Sequence, residues 1–197
     1  MEVSVRNAAS GYVGFIFRPT PTLFADIVSC FNLMKIRISE DIGSNPKAFF
    51  NRLEGNESII GLNLTEQNMG AGIDRLCDAL ANTHLPQLES LNLLSNNLFN
   101  VHALKLAAAI SANHTLRALN LQKNIISDVG PGSLIMALGF NTSLVEFDLS
   151  ENYMGTNGER LIAKVWQSKN RNKNNLYLAG NQGVDGRSQF FLSYPPE

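Results

Sequence analysis

Residues whose chemistry could support catalysis or metal binding are few in this chain of 197 residues, which has three histidines and two cysteines. His84, His102 and His114 lack cysteine or carboxylate partners at the spacing of a metal site. Cys77 falls on the apolar face of a predicted helix, which favours a small core residue over a nucleophile. The sequence therefore predicts no catalytic, cofactor-binding or metal-binding residues, and we expect that the protein is not an enzyme.

Two short stretches invite comparison with phosphate-binding or nucleic-acid-binding segments. "GAGID" at 70–74 lacks the lysine of a nucleotide-binding loop and is interpreted as a turn into a helix. "KNRNKNN" at 169–175 is basic but has no interleaved aromatic residues, so a solvated loop is favoured, with an RNA or phosphate contact as the alternative. The net charge of −1 gives no electrostatic reason to expect nucleic acid or an anionic membrane as the partner.

Asparagines begin several Asn-x-Ser/Thr triplets, which are acceptor sequences for glycosylation in secreted proteins. Three of them, Asn56, Asn113 and Asn141, lie three residues before the next unit of a repeat described below; the fourth is Asn63. Asparagine suits a turn between a helix and a strand because it tolerates left-handed backbone. We therefore interpret the triplets as structural.

The strongest feature of the sequence is a repeat of 28 or 29 residues. The frame has leucine at its first, fourth and sixth places and asparagine at its ninth, as in "LESLNLLSNNL" from Leu88 and "LRALNLQKNII" from Leu116. It continues as "LVEFDLSENYM" from Leu144, and further copies are "LMKIRISEDIG" from 33, "IIGLNLTEQNM" from 59 and "KNNLYLAGNQG" from 173. Repeats of this length indicate a solenoid, here with six strand-forming units.

Each unit begins with a short strand and continues as a helix. The first half alternates apolar and polar residues, whereas the second half has helical periodicity. Helices are predicted near 46–55, 72–82, 101–113, 131–140 and 157–168. In 101–113 we expect Leu104, Ala107, Ala108 and Ile110 on the inner face.

Such a unit cannot bury its apolar faces alone, so neighbouring units must stack and share one core. Helices are about 10 Å wide and strands about 4.8 Å apart, so the array must curve with the strands inside. The sequence predicts an α/β fold, a right-handed αβ horseshoe of about six units with a parallel sheet on the concave face. The ninth-place asparagines, Asn96, Asn124, Asn152 and Asn181, are expected to satisfy backbone groups where each strand turns away.

These units resemble the leucine-rich repeats of the ribonuclease-inhibitor type, which also form the repeat domains of Ran GTPase-activating proteins and tropomodulins. The resemblance covers about residues 33–186. It implies the horseshoe fold and a role in binding other proteins. Before the array we expect an N-terminal cap at 1–32, with a strand-like segment in "GYVGFIF" and a short helix at 22–32. An apolar tail at 187–197 either folds over the last open face of the core or docks on another protein.

The N-terminal stretch has Glu2 and interrupting glycines, so no secretory signal is predicted, and no apolar run approaches the roughly 20 residues of a membrane span. Two cysteines are too few for a disulfide scaffold. We therefore expect an intracellular, cytoplasmic protein without a membrane partner, with a cytoskeletal or axonemal setting as one option.

Side chains between the core positions of the strands should point into the concave face and contact a protein partner. The residues expected to do so are Arg37, Asn63, Glu66, Asn92, Arg117, Asn120, Lys123, Glu146, Asp148, Glu151 and Tyr177. Six strands give a face of roughly 25 Å, enough for a contact of about 800 Å² per partner. Binding through edge loops or the tail is the alternative. We also expect that Asn120 can be replaced with little effect on stability.

Two function hypotheses follow. The first is a non-catalytic interaction module or scaffold subunit of a larger complex, whose partner is another protein. The second is a GTPase-activating or other enzyme-regulating protein resembling the Ran activators, which act by ordering their partner's catalytic groups. The lack of an acidic tail, in a chain that ends in "YPPE", favours the first hypothesis.

Overall fold

The computed structural model describes residues 3–7, 11–15, 35–38, 46–53, 59–81 and 85–183. The strands in this part of the chain are β1 Val3–Asn7, β2 Gly11–Phe15, β3 Lys35–Ile38, β4 Gly61–Asn63, β5 Ser90–Asn92, β6 Ala118–Asn120, β7 Glu146–Asp148 and β8 Leu176–Tyr177. The helices are α1 Pro46–Leu53, α2 Ile73–Ala81, α3 Asn100–Ala112, α4 Val129–Phe140 and α5 Thr156–Ser168. Single 3₁₀ turns span Met69–Gly72 and Lys173–Asn175.

All of these strands form one sheet in the order β2-β1-β3-β4-β5-β6-β7-β8. Strands β3 to β8 are parallel, one from each predicted unit, and helices α1 to α5 follow β3 to β7 in turn. The predicted α/β array with a parallel sheet is therefore confirmed. Strand β2 falls within "GYVGFIF", whereas β1 was not predicted; the two form a hairpin that pairs antiparallel with β3. The helix predicted at 22–32 and the tail at 187–197 lie outside the described residues.

The leucines of the repeated frame form a continuous core. At the first place, Ile59, Leu88, Leu116 and Leu144 are at most 1% exposed. At the fourth place, Leu62, Leu91, Leu119 and Phe147 are neighbours in register across β4 to β7. Each unit thus buries its apolar face against the units on either side, as the length of the repeat requires.

Asparagine holds the ninth place after β5 to β8 and is buried in the first three of these units, and Asn124 shows the arrangement; after β4 the place is held by Gln67. Its side-chain oxygen accepts hydrogen bonds from the backbone N–H groups of Asn96 and Leu98, both at 3.0 Å. Its amide nitrogen donates to three carbonyl oxygens, those of Leu93, Leu121 and Gln122. Asn96, Asn152 and Asn181 make equivalent bonds between neighbouring units. The role predicted for these asparagines is confirmed.

A second set of buried asparagines lies where the helices return to the strands. Asn141 donates to the carbonyl oxygens of Ile110 and Asn113, both at 2.9 Å, and accepts from the N–H of Leu144 at 2.8 Å. Asn113 does the same one unit earlier, with Leu80 as one acceptor. The expectation of left-handed backbone is wrong, because both residues are extended with ψ of 136°. Their role is to join units by hydrogen bonds.

The inner face of α3 differs from the expected one by a single position. Leu104 is 54% exposed and Ala108 is also exposed, whereas Ala103 and Leu106 are buried beside Ala107 and Ile110. The mistake arose because α3 is apolar around most of its circumference, so its sequence does not mark which side faces the core.

Asn100 forms a further link between units, at the start of α3. Its amide nitrogen donates to the Ser127 hydroxyl and its oxygen accepts from the Ser127 N–H, both at 2.8 Å. Gly130 on α4 packs directly against this link: a Cβ atom there would lie 2.7 Å from Oδ1 of Asn100 and 2.9 Å from Cγ2 of Ile126. Only glycine fits at this position without a shift of its neighbours.

We expect Gly130→Ala to lower the free energy of unfolding by about 1–3 kcal/mol, because the added methyl group must displace Asn100 or Ile126. Gly139→Ala is the matched control on the same helix, since a Cβ atom there meets nothing within 4 Å. The control should be neutral or slightly stabilising. Urea unfolding of both variants measures the difference, and equal stability would contradict the packing described.

Candidate interaction surface

The central column of the predicted surface is formed by residues in register on adjoining parallel strands. Strand pairing places Arg37 beside Asn63, and the column continues through Asn92, Asn120, Asp148 and Tyr177. The spacing of the repeat alone was sufficient to predict this alignment, because equal frames put equal places side by side. Contact of these residues with a partner stays a prediction.

The column also has a structural role that the sequence analysis did not anticipate. Oδ1 of Asn120 accepts the N–H of Gln122 at 2.8 Å, and Asn63, Asn92 and Asp148 accept from the residue two places ahead in the same way. Asn120 therefore helps to turn the chain out of the strand, and the expectation that its replacement leaves stability untouched does not fit this geometry. The amide nitrogens of Asn63, Asn92 and Asn120 make no hydrogen bond within the described residues, which leaves donors on the concave face.

A second line of predicted residues follows the strands, at the eighth place of the frame. Glu66, Lys123 and Glu151 have φ of 58°, 55° and 53°, and Ser95 and Gly180 have the same left-handed backbone in their units. This conformation costs roughly 1 kcal/mol for residues other than glycine. It reverses the chain just before the buried asparagine and places these side chains at the edge of the concave face.

The charged side chains of the face divide into paired and unpaired groups. Nε of Arg117 lies 3.8 Å from Glu89, and Nζ of Lys123 lies 3.4 Å from Glu151, each pair joining neighbouring units. Glu146 is the first residue of β7, lies beside Ala118 of β6 and is exposed. It has no ion pair among the described residues. The surface around β7 therefore carries uncompensated negative charge from Glu146 and Asp148.

Tyr177 on β8 ends the central column beside Asp148 and is 43% exposed. A partly exposed tyrosine offers a large apolar area and a hydroxyl group, a combination enriched at protein interfaces. Together with Glu146 and Asp148 it forms what we call the acidic end of the concave face.

An open depression of about 400 Å³ lies beside this end, where the strands give way to the loops that lead to the helices. Its lining is mainly polar and consists of Asn97, Lys123, Asn124, Ile125, Glu151, Asn152, Tyr153, Gly180 and Gln182. Small-molecule sites are usually enclosed and apolar, which this depression is not. Tyr153, 36% exposed, was not predicted because it holds the tenth place of the frame, where the repeat has no fixed residue type.

Cys77 and His102, whose side chains were considered for catalysis or metal binding, both pack within the fold. Burial raises the pKa of the Cys77 thiol to about 12, and the Asp74 carboxylate acts in the same direction. His102 is buried, and burial lowers its pKa together with the nearby Lys105; its Nδ1 accepts the Phe99 N–H at 2.9 Å. No three histidine, cysteine or acidic residues of the described ranges are grouped so as to hold a metal ion. The helices of these ranges are not long and apolar enough to cross a bilayer.

Arg171, in the basic stretch 169–175, caps the end of α4 and the turn that follows it. Its guanidinium donates to the carbonyl oxygens of Leu138, Asn141 and Leu144 and lies 4.9 Å from the centre of the Trp166 ring. Burial lowers its pKa. Arg171 thus takes the role that asparagine has in earlier units, whereas Lys169 and Lys173 are exposed. The interpretation of the whole stretch as a solvated loop is wrong at this residue.

The buried asparagines of the glycosylation triplets are committed to the fold. Asn113 and Asn141 are 5% and 1% exposed, and both amide groups donate and accept hydrogen bonds inside the array. A glycan on either nitrogen would require these bonds to break. Asn56 lies outside the described residues.

Comparison with known proteins supports the repeat fold. No family model matches the chain. In an alignment 158 residues long that covers 65% of this chain, it is 28% identical to the "NACHT, LRR and PYD domains-containing protein 14" of Mus musculus, of which it spans 16%. Among solved structures it is similar to "Leiomodin-1 Actin-Binding Site 2", with a TM-score of 0.53, 18% identity and coverage of 78% of this chain and 86% of that one.

A "tropomodulin C-terminal domain" of Caenorhabditis elegans has a TM-score of 0.44 and 16% identity over 64% of this chain and 93% of that one. The sheet, the repeat frame and the likeness to the leiomodin segment together give a fold of the leucine-rich-repeat type.

Replacement of Arg171 by lysine should lower the free energy of unfolding by about 1–3 kcal/mol. Lysine cannot reach three carbonyl groups with a planar fork and stack on Trp166 at the same time. Lys169→Ala, an exposed position two residues earlier, should change stability by no more than about 0.5 kcal/mol. Thermal unfolding of the two variants checks this, and an Arg171→Lys protein as stable as the wild type would refute the capping role.

Proposed function

We propose that the chain is a non-catalytic protein-interaction module, built of repeats of the ribonuclease-inhibitor type, that binds another protein through its concave face. The observation that carries the proposal is the central column: residues in register on β3 to β8, with three asparagine amide groups that make no hydrogen bond within the described residues and an exposed tyrosine at one end. A broad, polar and open surface of this kind suits a protein partner better than a small ligand.

The charge distribution indicates what the partner should carry. Arg117 and Lys123 are already paired with Glu89 and Glu151, whereas Glu146 has no ion pair among the described residues, so β7 offers a partner negative charge. A partner with a basic segment would meet complementary potential at the acidic end, which favours fast association and correct orientation. We propose that Tyr177 packs against the apolar parts of that segment.

The leiomodin segment of similar fold is named as an actin-binding site, which makes actin the first defined protein to test. The corresponding proposal for this chain is a cytoskeletal role in the cytoplasm, as a subunit of a larger assembly. Other proteins with a basic contact segment are compatible with the same surface.

The test uses the combined variant Glu146→Lys and Tyr177→Ala, which reverses a charge and removes the aromatic group at the acidic end. Lys169→Glu is the control, because it reverses a charge on an exposed loop outside the face. Affinity capture from native cell extract should yield proteins that bind the wild type and the control but bind the combined variant at least about tenfold more weakly.

Direct titration with purified monomeric actin then shows whether actin is among these proteins. A capture in which every specific protein is retained by the combined variant would contradict binding at the acidic end. Circular dichroism of the variants, expected to match the wild type, excludes loss of the fold as the cause.

A further inference from the structure

The outer faces of the two central helices are apolar although they face solvent. Their outermost positions, one helical turn apart, are all exposed: Leu104, Ala108 and Ala112 on α3, and Gly132, Met136 and Phe140 on α4. Leu104, Met136 and Phe140 are 54%, 66% and 73% exposed. Helix α4 has no charged residue, whereas a helix at the surface of a monomer usually has a polar outer face.

The helices on either side do carry charge at the same places. On α2 the outermost residues include Asp74 and Asp78, and on α5 they include Arg160 and Lys164, all of them exposed. The apolar surface is therefore restricted to α3 and α4, with an acidic border on one side and a basic border on the other. We call it the central patch.

The repeat places equivalent outer positions of the four helices at the same height, that is, at the same level along the helix axes. The inner residues Leu76, Leu106, Leu134 and Ile162 are all buried and hold equivalent places in the four helices. Two residues before them come Asp74, Leu104, Gly132 and Arg160, and two residues after them come Asp78, Ala108, Met136 and Lys164. Because each helix follows a parallel strand, the helices run in the same direction and these sets form level rows.

We propose that a second copy of this chain docks on the central patch in a two-fold symmetric dimer whose axis runs parallel to the helices. This symmetry lays α3 of one copy on α4 of the other without changing the height of any row. Both copies then use the same surface, as a two-fold interface requires.

The side chains that meet are complementary in size. Leu104 faces Gly132 of the second copy, Ala108 faces Met136, and Ala112 faces Phe140, so each row opposes a large side chain to a small one. The large side chains of one copy fill the space beside the small side chains of the other. The two apolar surfaces therefore pack closely without voids.

The charged residues of α2 and α5, which border the central patch, favour the same arrangement. The proposed axis brings Asp74 of α2 to the height of Arg160 of the second copy, and Asp78 to that of Lys164. The other two-fold arrangement, with each helix on its own counterpart, would oppose the acidic α2 borders to each other. Asp74 already pairs with Lys105 at 2.6 Å, so Asp78 and Lys164 give the clearer test.

The curvature of the array limits the contact to this region. The outside of a curved solenoid meets another convex surface only at its crown, here α3 and α4, and long side chains such as Lys164 must bridge the widening gap beside it. A contact limited to this crown is smaller than a standard interface, so we expect a dissociation constant on the order of micromolar.

Sedimentation velocity of the full chain between about 1 and 500 μM measures the association. The wild type should shift from monomer to dimer across this range. Met136→Glu and Phe140→Glu should each weaken dimerisation at least about 30-fold, since each would bury a charge opposite alanine. Thermal unfolding should show unchanged stability of the exposed-site variants at low concentration.

Charge reversal distinguishes a second copy from any other occupant. Asp78→Lys and Lys164→Asp should each weaken the dimer by about three- to tenfold, and the double variant should recover wild-type affinity because both symmetric pairs are restored. Glu146→Lys, on the concave face, is the control and should dimerise normally, so a failure here is separable from a failure of the proposed partner site.

The proposal would be overturned by a wild type that stays monomeric at the highest concentration, by a dimer unaffected by Met136→Glu, or by a double charge variant no better than the single ones. A monomer in which Met136→Glu lowers the melting temperature would overturn it as well, because another segment of the same chain would then cover the patch.

Discussion

The structure depends on the burial of asparagine where each strand leaves the sheet. At that turn the backbone loses its ladder partners inside a closely packed array, and unpaired N–H and C=O groups there would each cost about 1–3 kcal/mol. Asn96, Asn124 and Asn152 prevent this, each accepting from the preceding unit and donating to carbonyl groups of the preceding unit and of its own. Because one amide spans two units, it also fixes their relative height.

That fixed height has consequences on both surfaces of the array. On the concave side it aligns Asn63, Asn92 and Asn120 into one column, and on the convex side the level rows inferred for the helices depend on it. The two surfaces lie on opposite sides of one core, so a partner at the acidic end and a second copy at the central patch could be bound together. A module of this kind would bring two partner molecules to one dimer.

The features that the repeat determines could be predicted from the sequence. The parallel strands, the bounds of the helices to within two residues and the role of the ninth-place asparagines follow from spacing, since equal frames must stack in equal positions. Interactions that belong to single units could not be predicted in this way. Arg171 caps the end of α4 from a position one residue beyond the place where earlier units have their asparagine, and the link from Asn100 to Ser127 uses residues outside the frame. The inner face of α3 was missed because its outward positions are also apolar, and that same feature underlies the central patch.

Amide hydrogen exchange, followed residue by residue on the intact chain, tests most directly the role of the buried asparagines at the ends of the strands. The N–H groups of Met69, Leu98 and Ile126 donate to asparagine side chains rather than to a neighbouring strand. If these asparagines hold the units together, the three amides should exchange only through global unfolding. Their opening free energies should lie within about 1 kcal/mol of those of the strand-paired amides of Leu93 and Leu121, which follow β5 and β6 and donate to carbonyl groups of the next strand. Exchange at the rate of exposed loops, while the strand amides stay protected, would contradict the account.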